Sequence, residues 1–300
     1  MASPLQGVFA PVVTPVDAGL APDPERLGAL CHALLADGCH GLVLFGTTSE
    51  ANSFALDERM ALLEAVVAAG VPAEKLIVGT GLCAIPETTR LTRHAVDLGC
   101  AGTLVLPPFY YKGQSDAGLH AAYAEVIERV GAARLRLYLY HIPQVSGVGI
   151  TFPLIQSLVA AYPEQVVGIK DSTGDADHHA SLLAAFPGFG VFTGTETLLL
   201  ANQRGGGVGT ITAGANVNAR AIRRLYDGSK SAEADALQAK VDAVRQALQG
   251  APLVAGLKAV IAHQRGDHDW RRVRPPLVAL DDGARDALLA ALDAAGYQAP

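Results

Sequence analysis

The chain has 300 residues, which is enough for one large α/β barrel with an extension or for two smaller domains. Half of its residues are hydrophobic and 17% are charged, so it can bury a large core and does not belong to the disordered class. The net charge of -6 disfavours nucleic acid as a partner, and no apolar run is long enough to span a membrane.

Short apolar runs alternate with helical patterns over the first 229 residues. The apolar runs predict the strands Gly7–Val12, Gly41–Phe45, Leu76–Gly79, Thr103–Leu106, Leu135–Tyr140, Val166–Lys170, Gly190–Thr193 and Val208–Thr212. The segments between them predict the helices Pro24–Asp37, Leu56–Ala69, Pro86–Leu98, Ala117–Val130, Pro153–Ala161, Ala176–Phe186, Glu196–Asn202 and Ala219–Tyr226. Asp23 and Gly38, at the two ends of the first helix, are typical of an N-cap and a helix stop.

Eight strand–helix units in succession, with strands apolar on both faces, predict a parallel sheet covered by helices. We favour a closed (βα)8 TIM barrel because it leaves no sheet edge exposed. An open doubly wound sheet is the alternative, but no G-x-G-x-x-G motif separates the first strand from the first helix. Residues 230–300 show only helical patterns, so we predict a barrel over 1–229 and a C-terminal helical extension over 230–300 that serves subunit contacts.

In such a barrel, the residues that follow each strand lie around one mouth. Lys170 ends the sixth predicted strand, where desolvation disfavours an ammonium ion and a neutral amine is a nucleophile. One interpretation is a Schiff base between Lys170 and a carbonyl substrate; the other is a lysine that leaves the strand for solvent or an aspartate. Tyr140 ends the fifth strand, about 4.8 Å away across the sheet, so its hydroxyl can serve the same substrate atom as a proton donor.

The turn Gly46-Thr47-Thr48 follows the second strand. Its hydroxyl and N–H groups suit a substrate carboxylate, but threonines before a helix equally suit an N-cap. Histidines near the same rim, such as His141, are more often structural, and no His/Asp/Glu spacing resembles a metal site. Because a lysine imine can activate a carbonyl without a metal, we expect neither a metal nor an organic cofactor.

Four motifs occur in a distinctive order and spacing: Gly46-Thr47-Thr48-Ser49-Glu50, Tyr140-x-x-Pro143, Gly168-Ile169-Lys170-Asp171-Ser172, and Gly209-Thr210-Ile211-Thr212 followed by Asn216. Together they resemble the dihydrodipicolinate synthase / N-acetylneuraminate lyase family over essentially the whole chain. The resemblance implies a (βα)8 barrel that forms an imine with pyruvate or another 2-oxo acid. It strongly favours the Schiff-base interpretation of Lys170.

The resemblance also implies roles for other residues. Tyr140 matches the proton shuttle, and Thr47 and Thr48 match the turn that holds the substrate carboxylate. Tyr110 matches a tyrosine that members often lend across a tight dimer, and Ile211 matches a residue whose backbone faces the catalytic centre. Members are commonly homotetramers built as dimers of dimers. We therefore predict catalytic roles for Lys170, Tyr140, Thr47 and Tyr110, and substrate-binding roles for Thr48, Gly46, Ile211, Gly194 and Glu196.

Two departures from the family pattern bear on the substrate. Lysine-pathway synthases carry an arginine two residues after the proline of the Tyr-x-x-Pro motif, whereas this chain has Val145, which cannot bind a carboxylate. The run Pro143-Gln144-Val145-Ser146-Gly147 is more similar to the sialic-acid lyase and sugar-acid aldolase branch. Thr195 and Glu196 offer groups that could bind substrate hydroxyls. We therefore expect a class I aldolase that reversibly cleaves a 2-keto-3-deoxy sugar acid, or a related compound, to pyruvate and an aldehyde.

Three alternatives stay open. Two are enzymes: dihydrodipicolinate synthase itself, and a dehydratase or hydratase-aldolase that uses the same imine. The third is a non-catalytic protein that binds a 2-oxo acid. Four cysteines without paired or zinc-like spacing, and an N-terminus without a signal-peptide pattern, are typical of a cytoplasmic protein.

Overall fold

The computed structural model describes residues 5–299, and in it eight parallel strands close into one barrel in sequence order. The predicted (βα)8 TIM barrel with a C-terminal helical extension is therefore confirmed. The strands are β1 Gly7–Pro11, β2 Gly41–Leu44, β3 Leu76–Gly79, β4 Gly102–Val105, β5 Leu137–His141, β6 Val166–Asp171, β7 Gly190–Thr193 and β8 Gly209–Ile211. Closure comes from the pairing of β1 with β8, where Gly7 lies opposite Gly209.

The helices follow the strands in the order that the sequence predicts. They are α1 Pro24–Ala36, α2 Leu56–Ala68, α3 Ile85–Asp97, α4 Asp116–Val130, α5 Pro143–Ser146, α6 Phe152–Ala161, α7 Ala176–Ala185, α8 Leu199–Arg204, α9 Ala215–Asp227, α10 Ala234–Gln249, α11 Leu253–Arg265 and α12 Asp282–Ala294. Asp23 caps α1 as predicted, because its side chain accepts a hydrogen bond from the Arg26 N–H at 2.9 Å. Among residues 5–299, no helix has the length and apolarity that a membrane crossing requires.

Several boundaries differ from the prediction for local reasons. The fifth strand begins at Leu137 rather than Leu135, since the Leu135 N–H donates to the Ala132 carbonyl in a turn. The predicted helix from Glu196 divides into a 3-10 turn over 196–198 and the short helix α8. Helix α9, which corresponds to the predicted helix Ala219–Tyr226, starts four residues earlier, at Ala215, and continues through a kink at Asn218. The short helix α5 was not predicted.

The C-terminal helices share a hydrophobic core with the first strands of the barrel. Val241 of α10, Leu257 of α11 and Leu288 of α12 are buried in the same cluster as Val8 of β1 and Leu42 of β2. The extension is therefore packed onto the barrel over a continuous apolar surface. The division of the chain at residue 229 stays a prediction, and residues 1–4 and 300 of the two predicted units lie outside the described part of the chain.

A separate cluster fills the barrel interior. Phe9, Tyr138 and Phe192 pack edge to face, with ring centroids 5.4 Å and 5.8 Å apart for the two pairs that Phe192 forms. This layer lies below the ends of the strands, so polar side chains at those ends rest on an apolar floor.

Gly168 tests how tightly β5, β6 and β7 are packed. A Cβ atom there would lie well inside van der Waals contact with the Gly190 carbonyl oxygen and 2.7 Å from Tyr138 Cδ1. We expect Gly168→Ala to destabilise the protein by about 3 kcal/mol or more, because backbone atoms cannot move aside. Thermal and urea unfolding measure the loss. Gly118→Ala in α4 is the matched control, since its Cβ would lie an ordinary 3.6 Å from Ser115 Oγ; equal stability of the two variants would contradict the prediction.

Candidate active site

Lys170 and Tyr140 lie side by side at the carboxyl ends of β6 and β5. They are register partners in the parallel pair, and Lys170 Nζ donates a hydrogen bond to Tyr140 Oη at 3.3 Å. The same amine lies 4.4 Å from the centre of the tyrosine ring. Both residues are buried, with only 4% and 3% of their surfaces exposed. The structure therefore brings together the two residues that strand order alone placed on neighbouring strands.

Thr47 extends this pair toward solvent. Its hydroxyl lies 3.2 Å from Tyr140 Oη, and either oxygen can donate the hydrogen bond. Thr47 itself is exposed, whereas Tyr140 and Lys170 are not. Three groups that can exchange protons thus form a chain from the buried amine to the mouth of the barrel.

The turn that carries Thr47 does not cap a helix. Ala55 is the N-cap of α2, and the 3-10 turn Ala51–Ser53 separates that helix from the two threonines, so the N-cap interpretation was wrong. The Ser49 side chain holds the turn, since its hydroxyl donates to the Val12 carbonyl at 2.5 Å and accepts from the Gly46 N–H at 3.3 Å. Within the turn, Thr47 is exposed and Thr48 is buried. That the turn binds a substrate carboxylate stays a prediction.

The other predicted substrate-binding residues occupy different environments. Ile211 is fully buried at the end of β8, opposite Phe9 of β1. Position 194 has room only for glycine, because a Cβ atom there would overlap the Ser172 side chain. Glu196 is buried, accepts a hydrogen bond from the Thr212 hydroxyl, and lies 3.8 Å from Nη1 of Arg245. Its carboxylate therefore has protein partners, and a contact with a substrate hydroxyl stays a prediction.

Tyr110 lies apart from the buried pair. Its side chain is 73% exposed in the loop after β4, and its ring meets the neighbouring Tyr111 edge to face at 5.3 Å. The structure of the single chain therefore does not bring Tyr110 to Lys170, and a role across an interface stays a prediction.

A second polar cluster, which the sequence did not predict, lies on the outer side of the same strands. Asp171 follows Lys170 and points to the helical layer, where its Oδ2 lies 2.9 Å from Nδ1 of the buried His179 of α7. The other ring nitrogen of His179 faces Asn202 Oδ1 of α8 at 2.8 Å, and the Asn202 amide donates to the Gly209 carbonyl of β8 at 2.8 Å. The cluster ties the end of β6 to two helices and to β8. Alternation of side chains along β6 was the signal that could have placed Asp171 on this outer face, although not its partners.

Hydrogen bonds determine the charge of Asp171. Burial acts to raise the pKa of its carboxyl, but hydrogen bonds from His179 and Thr173 outweigh that effect and hold the pKa below its usual value. Thr173 supplies two of them to Oδ1, from its N–H at 3.1 Å and its hydroxyl at 2.9 Å. Asp171 is therefore an anion fixed beside the strand end that carries the lysine.

His141, which follows Tyr140, belongs to the same outer cluster. Within the described part of the chain, His141, Asp171 and His178 each offer one ligand atom, and the three atoms lie within 4.8 Å of one another. However, Nδ1 of His141 accepts a hydrogen bond from the Ile150 N–H at 2.9 Å, so the neutral ring carries its proton on Nε2 and has no free lone pair for a cation. The ring stacks on His178 with centroids 5.2 Å apart, which indicates a packing role.

The pKa of His141 generates a pH prediction. Burial, followed by the nearby His178, lowers this pKa below its ordinary value of 6.5 against the opposing effect of Asp171. As the pH falls, the unfolded chain therefore binds the proton first, and the free energy of unfolding decreases below about pH 6.5. We expect His141→Asn to reduce this slope by up to about 1.4 kcal/mol per pH unit.

Urea unfolding of the His141→Asn variant at several pH values between about 5 and 7.5 measures this slope. Part of the slope should remain in the variant, because burial also lowers the pKa of His40. His263→Asn removes an exposed histidine and serves as the control. If both variants keep the slope of the parent protein, His141 does not titrate as we describe.

Comparison with known proteins identifies the family. The sequence profile of the dihydrodipicolinate synthetase family matches residues 4–295. A DapA-like lyase of Chloroflexus aurantiacus, itself described as uncharacterized, is 34% identical over 295 residues, which are 98% of this chain and 97% of that protein.

Two crystal structures share the fold over nearly the whole chain. Dihydrodipicolinate synthase from Agrobacterium tumefaciens is 30% identical, with a TM-score of 0.89 over 96% of this chain and 98% of that chain. YagE, a prophage protein from E. coli crystallised in complex with pyruvate, is 26% identical, with a TM-score of 0.89 over 98% of this chain and 99% of that chain. With the profile match over nearly all of its residues, the chain belongs to the dihydrodipicolinate synthetase family.

Proposed function

We propose that this lyase is a class I aldolase, in which Lys170 forms an imine with a 2-oxo acid and a 2-keto-3-deoxy sugar acid, or a related compound, is cleaved reversibly to pyruvate and an aldehyde. The observation that carries the proposal is the buried hydrogen bond from Lys170 Nζ to Tyr140 Oη, with Thr47 next in the chain. A structural lysine would be expected to meet a carboxylate. This one instead meets a phenol, which can take up and return protons.

The chemistry balances with these groups. The Lys170 amine attacks C2 of the 2-oxo acid, and the carbinolamine loses water to give a protonated imine. The C4 hydroxyl then gives up its proton, the C3–C4 bond breaks, and its electron pair moves to the imine nitrogen as the aldehyde leaves. Protonation of the resulting enamine at C3 and hydrolysis of the imine release pyruvate. The imine is the electron sink, so the proposal needs no metal or organic cofactor.

Tyr140 is placed to move the protons. Its oxygen lies within hydrogen-bond range of both the amine and Thr47, so one group can serve the carbinolamine and the departing aldehyde oxygen. Thr47 connects it with the mouth. We assign the carboxylate of the substrate to the Gly46–Thr48 turn, whose Thr47 hydroxyl lies 3.2 Å from Tyr140 Oη.

The proposed substrate class rests on the residue at position 145. Val145 lies on α5, directly after the strand that carries Tyr140, and is 61% exposed. Aspartate semialdehyde carries its own carboxylate in addition to that of pyruvate, and a valine offers that group neither charge nor hydrogen bond. The aldehyde half of a 2-keto-3-deoxy sugar acid has no such carboxylate. Hydroxyl groups such as that of Thr195, which lies after β7, suit a polyol chain.

The second candidate function is 4-hydroxy-tetrahydrodipicolinate synthase. It is favoured by the 30% identity with the Agrobacterium tumefaciens enzyme, which covers 96% of this chain. That activity would use the same lysine, tyrosine and turn, and would differ in the partner of pyruvate. An imine-using dehydratase, or a protein that binds 2-oxo acids without turnover, would keep the same turn.

We also propose a homotetramer, built as a dimer of dimers and working in the cytoplasm. Tyr110 and Tyr111 are 73% and 69% exposed next to the mouth, where a neighbouring subunit could bury them. In that assembly Tyr110 would complete the proton relay of a partner's site.

Trapping with borohydride tests the nucleophile. In the presence of pyruvate, the reductant should convert the imine to a stable secondary amine and add the reduced adduct to the mass of the chain, with the label on Lys170 after digestion. Lys170→Ala should stay folded and trap nothing. Tyr140→Phe should trap pyruvate but turn over about 10²-fold to 10⁴-fold more slowly, since it loses its proton carrier. An adduct elsewhere, or turnover by Lys170→Ala, would overturn the mechanism.

A substrate comparison tests the second product. We expect faster release of pyruvate from a 2-keto-3-deoxy sugar acid than condensation of pyruvate with aspartate semialdehyde, because Val145 offers no anion contact. Pyruvate release is measured with a coupled reduction, and condensation by the formation of the ring product. The opposite order of kcat/KM would favour the synthase. A Val145→Arg variant provides the matched comparison, since it should gain condensation relative to cleavage.

A further inference from the structure

Glu50, two residues after the Gly46–Thr48 turn that we assign to the substrate carboxylate, is held by the C-terminal extension. Its side chain forms an ion pair with Lys258 of α11, and both side chains are 0% exposed. The Lys258 amine also donates to the Arg272 carbonyl at 2.8 Å. A fully buried carboxylate of the barrel is therefore paired with a fully buried amine of the extension.

Arg274 binds the same turn from the segment after α11. Its backbone N–H donates to Glu50 Oε2 at 2.8 Å. Its guanidinium donates to the Ser53 carbonyl at 2.6 Å and to the Glu58 carboxylate through both terminal nitrogens at 2.6 Å and 2.9 Å. The group also lies over the Phe54 ring, 4.1 Å from its centre. The extension thus contacts the residues on the C-terminal side of the turn at several independent points.

The backbone of the turn explains why such contacts are needed. Phe45 and Glu50, which lie on either side of the turn, have φ angles of 60° and 57° in the left-handed region. Residues with side chains stay there only when their surroundings hold them. Ser49 is held by the barrel, through its own bond to Val12 and the bond from Thr14 to its carbonyl, whereas Glu50 is held by Lys258 and Arg274.

Stability alone does not account for the buried pair. Desolvation lowers the pKa of Lys258 against the opposing effect of Glu50, so burial of its charge is costly. Buried ion pairs can often be replaced by apolar side chains with no loss of stability. The contribution that an apolar pair could not reproduce is directional, because Glu50 Oε2 accepts a hydrogen bond from the Arg274 N–H of the extension.

We propose that Glu50 is a positioning residue through which Lys258 and Arg274 of the C-terminal extension set the geometry of the Gly46–Thr48 turn and so the affinity of the enzyme for the carboxylate of its 2-oxo acid. The inference rests on the proposed function, since it assigns that carboxylate to the turn. It gives the extension a role in substrate binding besides its share of the core.

The double variant Glu50→Gln/Lys258→Met tests this role. It removes both buried charges together, so neither is left unpaired. The pyruvate concentration that gives half-maximal trapping on Lys170 should rise about tenfold or more, and KM should rise in parallel. The value of kcat at saturation should fall by a clearly smaller factor than half-saturation rises, because the turn binds the carboxylate equally in the ground state and the transition state, although Thr47 of the same turn also serves the proton relay.

Arg204→Gln is the matched control. It breaks the exposed pair between Arg204 and Asp235, which also joins the barrel to the extension but lies away from the turn. Half-saturation in this control should equal that of the parent protein. Glu50→Asp, which keeps the charge and shortens the side chain, should raise half-saturation by an intermediate amount.

The outcomes separate the two proposals. No adduct in the parent protein overturns the proposed function. An adduct in the parent protein with unchanged half-saturation in the double variant overturns the positioning role of Glu50 and leaves the imine in place. If circular dichroism shows that the double variant does not fold, Glu50→Asp decides, and unchanged half-saturation in that variant overturns the inference.

Discussion

The parallel register of β5 and β6 is the constraint on which the candidate site depends. Tyr140 lies opposite Lys170, and His141 lies opposite Asp171 one residue later. Because side chains alternate along a strand, the first pair points into the barrel and the second points to the helices. A slip of one residue would exchange the two sets, so the position of the nucleophile is decided by backbone pairing as much as by side-chain contacts.

The outer residue Asp171 is also fixed by hydrogen bonds. Asp171 is held by Thr173 and His179, and His179 passes the contact on to Asn202 and the backbone of β8. A strand end fixed from outside leaves little freedom to the residue before it. The inner amine is therefore positioned by groups that never face the barrel mouth, which is the kind of support that a covalent catalyst requires.

The turn after β2 shows the same principle with a more distant partner. Its strained ends lie between a barrel contact through Ser49 and an extension contact through Glu50. Because the extension shares its hydrophobic core with β1 and β2, the two contacts belong to one packed unit. Any movement of α11 relative to the barrel is thereby coupled to the geometry of the turn.

The sequence by itself determined the barrel and its helical extension, and it placed Lys170 and Tyr140 at the ends of neighbouring strands, because strand and helix periodicities and residues at strand ends are local signals. It could not determine that the Thr47–Thr48 turn lies outside a helix, since capping depends on where the next helix starts. Nor could it pair Asp171 with His179, or Glu50 with Arg274, which lies 224 residues further along the chain. Those contacts were decided only by the tertiary structure, because a buried charge is stable wherever the closed barrel happens to bring it a partner, and no local pattern records that meeting.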